Sequence, residues 1–564
     1  MASIDQRTEL RGAAAATGVT ALGVGGYELL HKPGRSDSST SGGNKPNILV
    51  IVVDQMRAPQ WFPEPAKLNA LLPNVARLQR DSVSFASHYT AANACTPSRG
   101  VMTTGLYSHQ TGCLFTTKFT VAGPTASTLS PQFPTWGTML REQGYKTWWW
   151  GKWHLGPSGD TSAEVLEAHG FSGGTFPSPN GGPSQGLDED PNIVDQFNEW
   201  FDTSAGRGPW CTTVSLVNPH DICWWPIYPL PDDVPHWFPF APVNFETPYD
   251  LHRRNKPQLQ IDYQNLMSTL VSRALSYSGP EMSAGWARFR DMYLWLQQQV
   301  DTQIGRVLDK LASRPAVDRN TVVVFTSDHG EYGGSHGLVG KNATAYEEAI
   351  RVPLCIRDPH GHLTPMPGDT RRQLTSSVDL APLLLTIGTG GNGWRSDPRY
   401  AYLADRADLA AIAANASAAG RPWIAHVTDE VSVEEIESVT KSPLIRETFG
   451  STDVSTDIPT WVPNHIVAVR THDAKLATYS YWKPGGMDAD KSRPIERELY
   501  DYSTPEGRQE IDNQAGRNPK EVKLQALIDH EVIREVRAPL PSRLADAQEQ
   551  GLADMRQLVA VHGG

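Results

Sequence analysis

Asn47-Ile48-Leu49-Val50-Ile51-Val52-Val53-Asp54 is the stretch on which the fold turns. It is short, apolar without interruption and rich in β-branched residues. That pattern suits a strand buried on both faces of a mostly parallel sheet. A second run of the same kind, Thr321-Val322-Val323-Val324-Phe325-Thr326-Ser327, ends against Asp328. Ligand sites of open α/β sheets lie at the carboxyl ends of such strands. Either Asp taken singly is as readily a helix N-cap. Two of them in one chain, each just past a buried strand and on either side of Cys95, point to a site.

Working outward, residues 282–311 have apolar positions at helical spacing, and shorter helices are expected over 72–80 and 135–143, the latter closed by Gly144. The Gly/Ser/Pro-rich stretch 172–186 reads as a surface loop. The repeated prolines of 224–248 argue against regular structure there. Beyond residue 400 the pattern changes to short strands over 423–427, 466–469 and 476–482, then helices over 519–537 and 541–560. The fold expected is α/β: a large domain with a central, mostly parallel mixed sheet flanked by helices, and a smaller C-terminal α+β domain with an antiparallel sheet. The boundaries expected are 1–45 for a leader and linker, 46–400 for the large domain, 401–535 for the smaller one and 536–564 for a helical tail.

At 564 residues the chain is long enough for a large core. Its net charge of −12 leaves no basic footprint for nucleic acid. Arg7 and Arg11 precede a small, mostly apolar run over 13–30, followed by a Ser/Gly-rich linker. Read as a signal, this leader makes the protein exported, periplasmic or secreted; read as a disordered leader, it leaves the protein cytoplasmic. Of five cysteines, Cys113, Cys211, Cys223 and Cys355 pair in one of three ways or stay reduced once Cys95 has another use.

Cys95-Thr96-Pro97-Ser98-Arg99 is followed by Thr104-Gly105. Pro97 suits the first turn of a helix. Cys95 then stands at the helix's positive end, where an anion is favoured. Arg99, one turn on, faces the same place as a fixed cation. A buried Cys before a Pro-started helix is the plainer alternative. Asp54-Gln55 and Asp328-His329-Gly330-Glu331 together suit a hard divalent cation. In Gly151-Lys152-Trp153-His154-Leu155-Gly156, an extended backbone puts Lys152 and His154 on one side, although such a hexapeptide is as often an ordinary loop.

These motifs resemble the sulfatase family of the alkaline-phosphatase-like superfamily, over 46–390 with specific matches and over 401–515 more weakly. The resemblance implies an enzyme that hydrolyses a sulfate monoester to an alcohol and inorganic sulfate. It implies that Cys95 is converted to formylglycine by a formylglycine-generating enzyme and acts as the hydrated nucleophile. It implies one divalent cation held by Asp54, Gln55, Asp328 and His329 with the group at position 95. Ca²⁺ ranks first, with Mn²⁺ and Mg²⁺ open because Gln55 replaces a second Asp and His329 an Asn. Arg99 and Lys152 would hold charge, as would Lys341 of His336-Gly337-Leu338-Val339-Gly340-Lys341. His220 of Asn218-Pro219-His220-Asp221 would protonate the leaving alcohol, and His154 would act as the base that restores the aldehyde. Without the resemblance, His220 reads as a structural histidine and Lys341 as a solvated charge. One departure is the segment 114–118, Leu-Phe-Thr-Thr-Lys, where related branches carry an Asn.

The partner expected is a small-molecule or carbohydrate sulfate ester; a homo-oligomer is open. A phosphodiesterase or phosphonate monoester hydrolase of the same superfamily is the first rival, since Asp-Gln and Asp-His resemble that branch. The intact Lys152-x-His154 pair argues against it. A non-catalytic binding protein on the same scaffold would need a missing nucleophile or ligand, and none is missing. Trp148, Trp149, Trp150, Trp153, Trp224 and Trp225 line an aromatic, sugar or quaternary-ammonium pocket or belong to the core; the sequence leaves both open.

Overall fold

A computed structural model describes residues 45–58, 64–116, 128–157, 162–225, 231, 233–271, 275–429, 463, 465–483 and 488–562. The proposed leader and residues 117–118 fall outside this set. The opening stretch is strand β1 (Asn47–Asp54), buried along its whole length. It is followed by β2 (Val83–Phe85), β3 (His88–Tyr89), β4 (Lys146–Gly151), β5 (Ser172–Gly173), β6 (Trp210–Pro219), β7 (Thr321–Ser327), β8 (Leu354–Arg357), β9 (Thr370–Arg371), β10 (Thr375–Ser376), β11 (Ile424–Thr428), β12 (His465–Arg470), β13 (Ala474–Ser480) and β14 (Glu496–Asp501).

Eight strands form one sheet in the order β5-β4-β6-β1-β7-β8-β2-β9. The block from β5 to β7 is parallel, and β8 is antiparallel to both of its neighbours. The mixed, mostly parallel sheet is thus as expected, and its cause is visible in β1. Ile48, Val50 and Val52 face a core with Met102, Trp136, Leu140 and Leu384. Leu49, Ile51 and Val53 face another with Phe197, Phe201, Leu294 and Ile304. Each such burial is worth roughly 1.5–3 kcal/mol, an upper estimate because unfolded chains are partly collapsed. The second core is capped by the helices Gln185–Ser204 and Met282–Ala312. The first of these was not anticipated; Pro191 inside it breaks the usual helical signal.

The small sheet is antiparallel, β11-β12-β13-β14. Its alternating residues divide between two cores. Ile466, Tyr479 and Tyr500 pack on Tyr332 and Tyr346 of the large sheet's loops. Val467, Leu476 and Leu499 pack under Leu524, Ile528 and Val532 of the C-terminal helical segment. The fourth strand, β14, extends the three read from sequence.

The structure forms no disulfide among the five cysteines. Trp149 and Trp153 are core residues, and Trp148 and Trp150 pack against the helix that begins at Gln185. Among the described residues no helix is long and apolar enough to cross a membrane.

Candidate active site

Four neighbouring parallel strands, β4, β6, β1 and β7, end side by side, and each delivers candidates from its last residue or the next few. β1 ends on Asp54 and continues to Gln55; β7 is followed by Asp328 and His329; β4 by Lys152; β6 by His220. The helix Cys95–Thr104 starts at this edge. Cys95 is its first residue, Ala94 caps it in extended conformation, and every residue of the helix is buried. Pro97 lies in the first turn and Gly105 closes the far end with φ 73°, as the motif's spacing requires.

Arg99 organises the floor. Its Nε donates to Asp328 Oδ2 at 2.9 Å and its Nη2 to Asp54 Oδ2 at 3.2 Å. Its Nη1 donates to the Lys152 carbonyl at 2.7 Å and Ser215 Oγ at 3.0 Å. One guanidinium therefore holds both carboxylates and ties down the lysine's backbone. Lys152 Nζ lies 2.5 Å from Asp54 Oδ2 and 3.8 Å from Cys95 Sγ. Burial would raise the Asp54 pKa, but the charges of Lys152 and Arg99 hold it well below the usual carboxylate range.

Asp54, Cys95, Asp328 and His329 converge, each offering one ligand atom within 4.8 Å of the others, and all are buried. His329 Nε2 is 3.2 Å from Cys95 Sγ, 3.4 Å from Asp54 Oδ1 and 3.8 Å from Asp328 Oδ1. The last two spacings are long for hydrogen bonds and suit donors around a shared cation. His329 Nδ1 meets the Gly330 carbonyl at 3.1 Å, and donating there leaves Nε2 with its lone pair toward the cluster. The donor set fits a divalent cation. Burial lowers the pKa of His329, keeping the ring neutral as a ligand must be.

Gln55 sits beside this cluster with its side chain otherwise engaged. Its Oε1 accepts from Lys341 Nζ at 3.0 Å, and its Nε2 donates to Glu331 and, at 3.1 Å, to Cys223 Sγ. Gln55 has φ 68°, a left-handed conformation unfavourable for a non-glycine residue. Its amide donating to Asp328 Oδ1 and its carbonyl accepting from Tyr293 Oη hold it there.

Lys152 and His154 are not related by strand alternation as the sequence suggested. β4 ends at Gly151, with φ 89°, and His154 has φ 57°. A Cβ at Gly151 would lie 2.1 Å from the Ser215 carbonyl oxygen, so only glycine allows the chain to turn there. His154 is buried, and its carbonyl accepts from Thr96 Oγ1, tying it to the nucleophile helix.

The segment 172–186 is also not the surface loop expected from its composition. Thr175, Ser178 and Gly181 are buried, and the Gly181 carbonyl accepts from Trp224 Nε1 at 2.8 Å. A Cβ on Gly181 would come within 2.5 Å of the His220 ring and 2.9 Å of Lys152 Nζ, at a φ of 93°. The loop is a wall of the site, and glycine is its only fit. Gly181→Ala is expected to leave the fold intact and cut turnover by about 10²-fold, because it displaces His220 and Lys152 by an ångström or so. Wild-type turnover with an unchanged circular dichroism spectrum would contradict this placement.

Burial, with Lys152 adding to it, pushes His220 well below the ordinary histidine pKa, so its free form is the neutral imidazole. Burial and the Asp54 carboxylate push the Cys95 thiol up to about 12. Sequence reasoning gave no site role to Ser215, Gly181 or Cys223, left Trp224 open between pocket and core, and named Glu331 within a motif without giving it a role of its own. The signal for Glu331 was its place in the motif after β7; Ser215, Gly181 and Cys223 carried none.

A mostly parallel α/β sheet with buried carboxylates, an imidazole and the Cys95 helix at its carboxyl edge is the architecture of the alkaline-phosphatase-like hydrolases. The chain belongs to the sulfatase family, whose model matches residues 46–390, and it is a sulfuric ester hydrolase. It is 27% identical over 379 residues to "Uncharacterized sulfatase YidJ" of Escherichia coli, covering 61% of this chain and 68% of that protein. It is 27% identical over 394 residues to the choline-sulfatase of Rhizobium meliloti, covering 61% and 67%. A phosphonate monoester hydrolase from Silicibacter pomeroyi shares the fold at TM-score 0.61 and 20% identity, over 89% of this chain and 97% of that one.

Proposed function

We propose that the protein hydrolyses the sulfate monoester of a small alcohol or carbohydrate, with position 95, matured to formylglycine, as nucleophile. The observation that carries this is the set of contacts at Cys95 Sγ: His329 Nε2 at 3.2 Å, Lys152 Nζ at 3.8 Å and Asp54 Oδ1 at 4.0 Å. A thiol held near pKa 12 is protonated at neutral pH and a poor nucleophile as it stands. The Cys95-Thr96-Pro97-Ser98-Arg99 motif supports its conversion by a formylglycine-generating enzyme. The hydrated aldehyde would supply a hydroxyl at this point. Asp54, Asp328 and His329, with Gln55 beside them, would hold a divalent cation, Ca²⁺ first and Mn²⁺ or Mg²⁺ next, whose charge acts as a Lewis acid.

The remaining chemistry belongs to the chain. Arg99 fixes both carboxylates from below. Lys152 and Lys341 bring positive charge toward the sulfuryl oxygens, in a buried site where charge is weakly screened. The ester's own negative charge, entering between those lysines, raises the pKa of His220 and lets it carry the proton needed by the leaving oxygen. His154 takes a proton from the group at position 95 as sulfate departs.

A relative named choline-sulfatase and another named N-acetylglucosamine-6-O-sulfatase support small-molecule and carbohydrate esters alike. Gln55 and His329 favour a second reading, hydrolysis of phosphonate monoesters or phosphate diesters. Ion chromatography decides between them: choline sulfate, nitrophenyl sulfate and sulfated monosaccharides should release inorganic sulfate faster than a phosphonate monoester is cleaved. Phosphonate cleavage without sulfate release would replace the first reading with the second.

Two expectations follow from the geometry. His220→Ala should slow alkyl sulfates by about 10²–10⁴-fold but nitrophenyl sulfate by less than about tenfold, because a good leaving group needs no proton. Equal losses for both would remove His220 from that role. Chelation should abolish turnover, and Ca²⁺ or Mn²⁺ should restore it. Asp54→Ala should bind no metal, whatever its activity; retention of one ion per chain in that variant would displace the site.

A further inference from the structure

A second cluster of buried polar groups lies on the small sheet, away from every residue assigned above. Asp429 directly follows β11, His465 opens β12, and His109 comes from the short helix after the nucleophile helix. His465 Nδ1 meets Asp429 Oδ1 at 2.5 Å, and His109 Nε2 meets Asp429 Oδ2 at 3.0 Å. Both carboxylate oxygens thus accept from imidazole N–H groups. The Trp482 ring lies tilted against His465, centroids 4.0 Å apart.

His465 Nε2 is left buried with no hydrogen-bond partner. It lines a cavity of about 640 Å³ between β12, β13 and the C-terminal helical segment. The same cavity is lined by Arg537, and there the orphaned groups continue: Nε and Nη2 of Arg537 are also buried and unpartnered. These two nitrogens form one edge of the guanidinium, the edge that grips an oxyanion through two parallel bonds. Only Nη1 is used, donating to Asp488 at 2.6 Å. Burial pushes the Arg537 pKa down, with Asp488 and Asp429 pushing back. The other acids lining the cavity are engaged. Asp490 accepts from Ser492, and Asp529 faces Lys491 at 3.9 Å. Lys483 adds a further cation to the wall. The helix wall carries a π-helical turn over Ile528–Val532, a distortion frequent at functional sites.

We propose that this cavity is a second, non-catalytic oxyanion site, in which the Arg537 Nε/Nη2 edge takes a sulfate or carboxylate group and His465, as an imidazolium held by Asp429, donates to it from Nε2. The two Arg537 donors remain unmatched only at a cost; an oxyanion satisfies both, and its charge favours the imidazolium form of His465, which makes Nε2 a third donor. The site is built from β12, the strand-end carboxylate Asp429 and Arg537, and it takes no group from the Cys95 centre. It accepts either inorganic sulfate, the reaction's product, or the oxyanion of a carbohydrate.

Equilibrium dialysis with radiolabelled inorganic sulfate, at constant ionic strength in chloride, tests it on the full chain. The Lys152→Ala variant, in which the active-site contribution is impaired, should still bind sulfate. Adding Arg537→Lys, which keeps the charge and loses the fork, should weaken that binding at least about tenfold. His465→Gln should weaken it as well, and serves where Arg537→Lys fails to fold. D-Glucuronate displacing the label at lower concentration than unlabelled sulfate would assign the site to carbohydrate carboxylates; the reverse order would assign it to sulfate. In the wild type, sulfate should raise the melting temperature beyond chloride, and in Arg537→Lys it should not. The proposal is overturned if Lys152→Ala binds neither anion, or if binding is indifferent to both cavity variants.

Discussion

Cys95→Ala should fold, bind its metal and release sulfate no faster than background, a loss on the order of 10⁵-fold or more. The side chain is fully buried at the first position of its helix, so removing one sulfur leaves only a small cavity and a modest loss of stability, about 1–2 kcal/mol. Its loss removes the one group placed against His329, Lys152 and Asp54 together. A kinetic assay with nitrophenyl sulfate, run beside a thermal melt, separates the two effects. Near-native melting with no turnover is the expected pair. Turnover within tenfold of wild type would mean that another group attacks the ester.

The second large effect should fall on Arg99. Its three nitrogens bind Asp328, Asp54, the Lys152 carbonyl and Ser215, and guanidinium and carboxylates alike are fully buried. Breaking a buried ion pair by removing one partner costs about 3–5 kcal/mol, because the charge left behind has no solvent. Arg99→Met keeps much of the volume, strands Asp328 and leaves Asp54 to Lys152. It should therefore lose about that much stability in metal-free protein, and less with Ca²⁺ bound, since the cation compensates the same carboxylates. Turnover should fall by at least 10³-fold with metal present. Denaturant titration with and without Ca²⁺ checks the sign of that difference. A variant equally stable in both conditions would show that Arg99 and the cation do not share Asp54 and Asp328.

Much of this was readable before the structure, for a physical reason. β1 and β7 carry uninterrupted β-branched runs because both sheet faces are covered, and a strand buried on both sides has no polar residues to disguise it. Asp54, Asp328 and the Cys95–Arg99 turn then follow from position, at the strand ends and the helix start. What the sequence hid lies in backbone sign and long-range pairing. Gly151 and His154 have left-handed φ values that break the alternation assumed for Lys152 and His154. Gly181 looked like part of a solvent-facing linker, whereas its missing side chain makes room for His220 and Lys152. Glu331 reaches Gln55 across 276 residues of sequence, a pairing that only the β1–β7 register brings about. His465 and Arg537 carry no local motif and meet only at a cavity wall.

The central claim is that the nucleophile at position 95 is an aldehyde made from cysteine. Mass spectrometry of the peptide containing residue 95, taken from enzyme whose turnover has been measured, tests it most directly. The account predicts formylglycine at that residue, in a fraction that tracks specific activity across preparations, with Cys113, Cys211, Cys223 and Cys355 still thiols. Full activity in protein whose Cys95 is an unmodified, alkylatable thiol would contradict it.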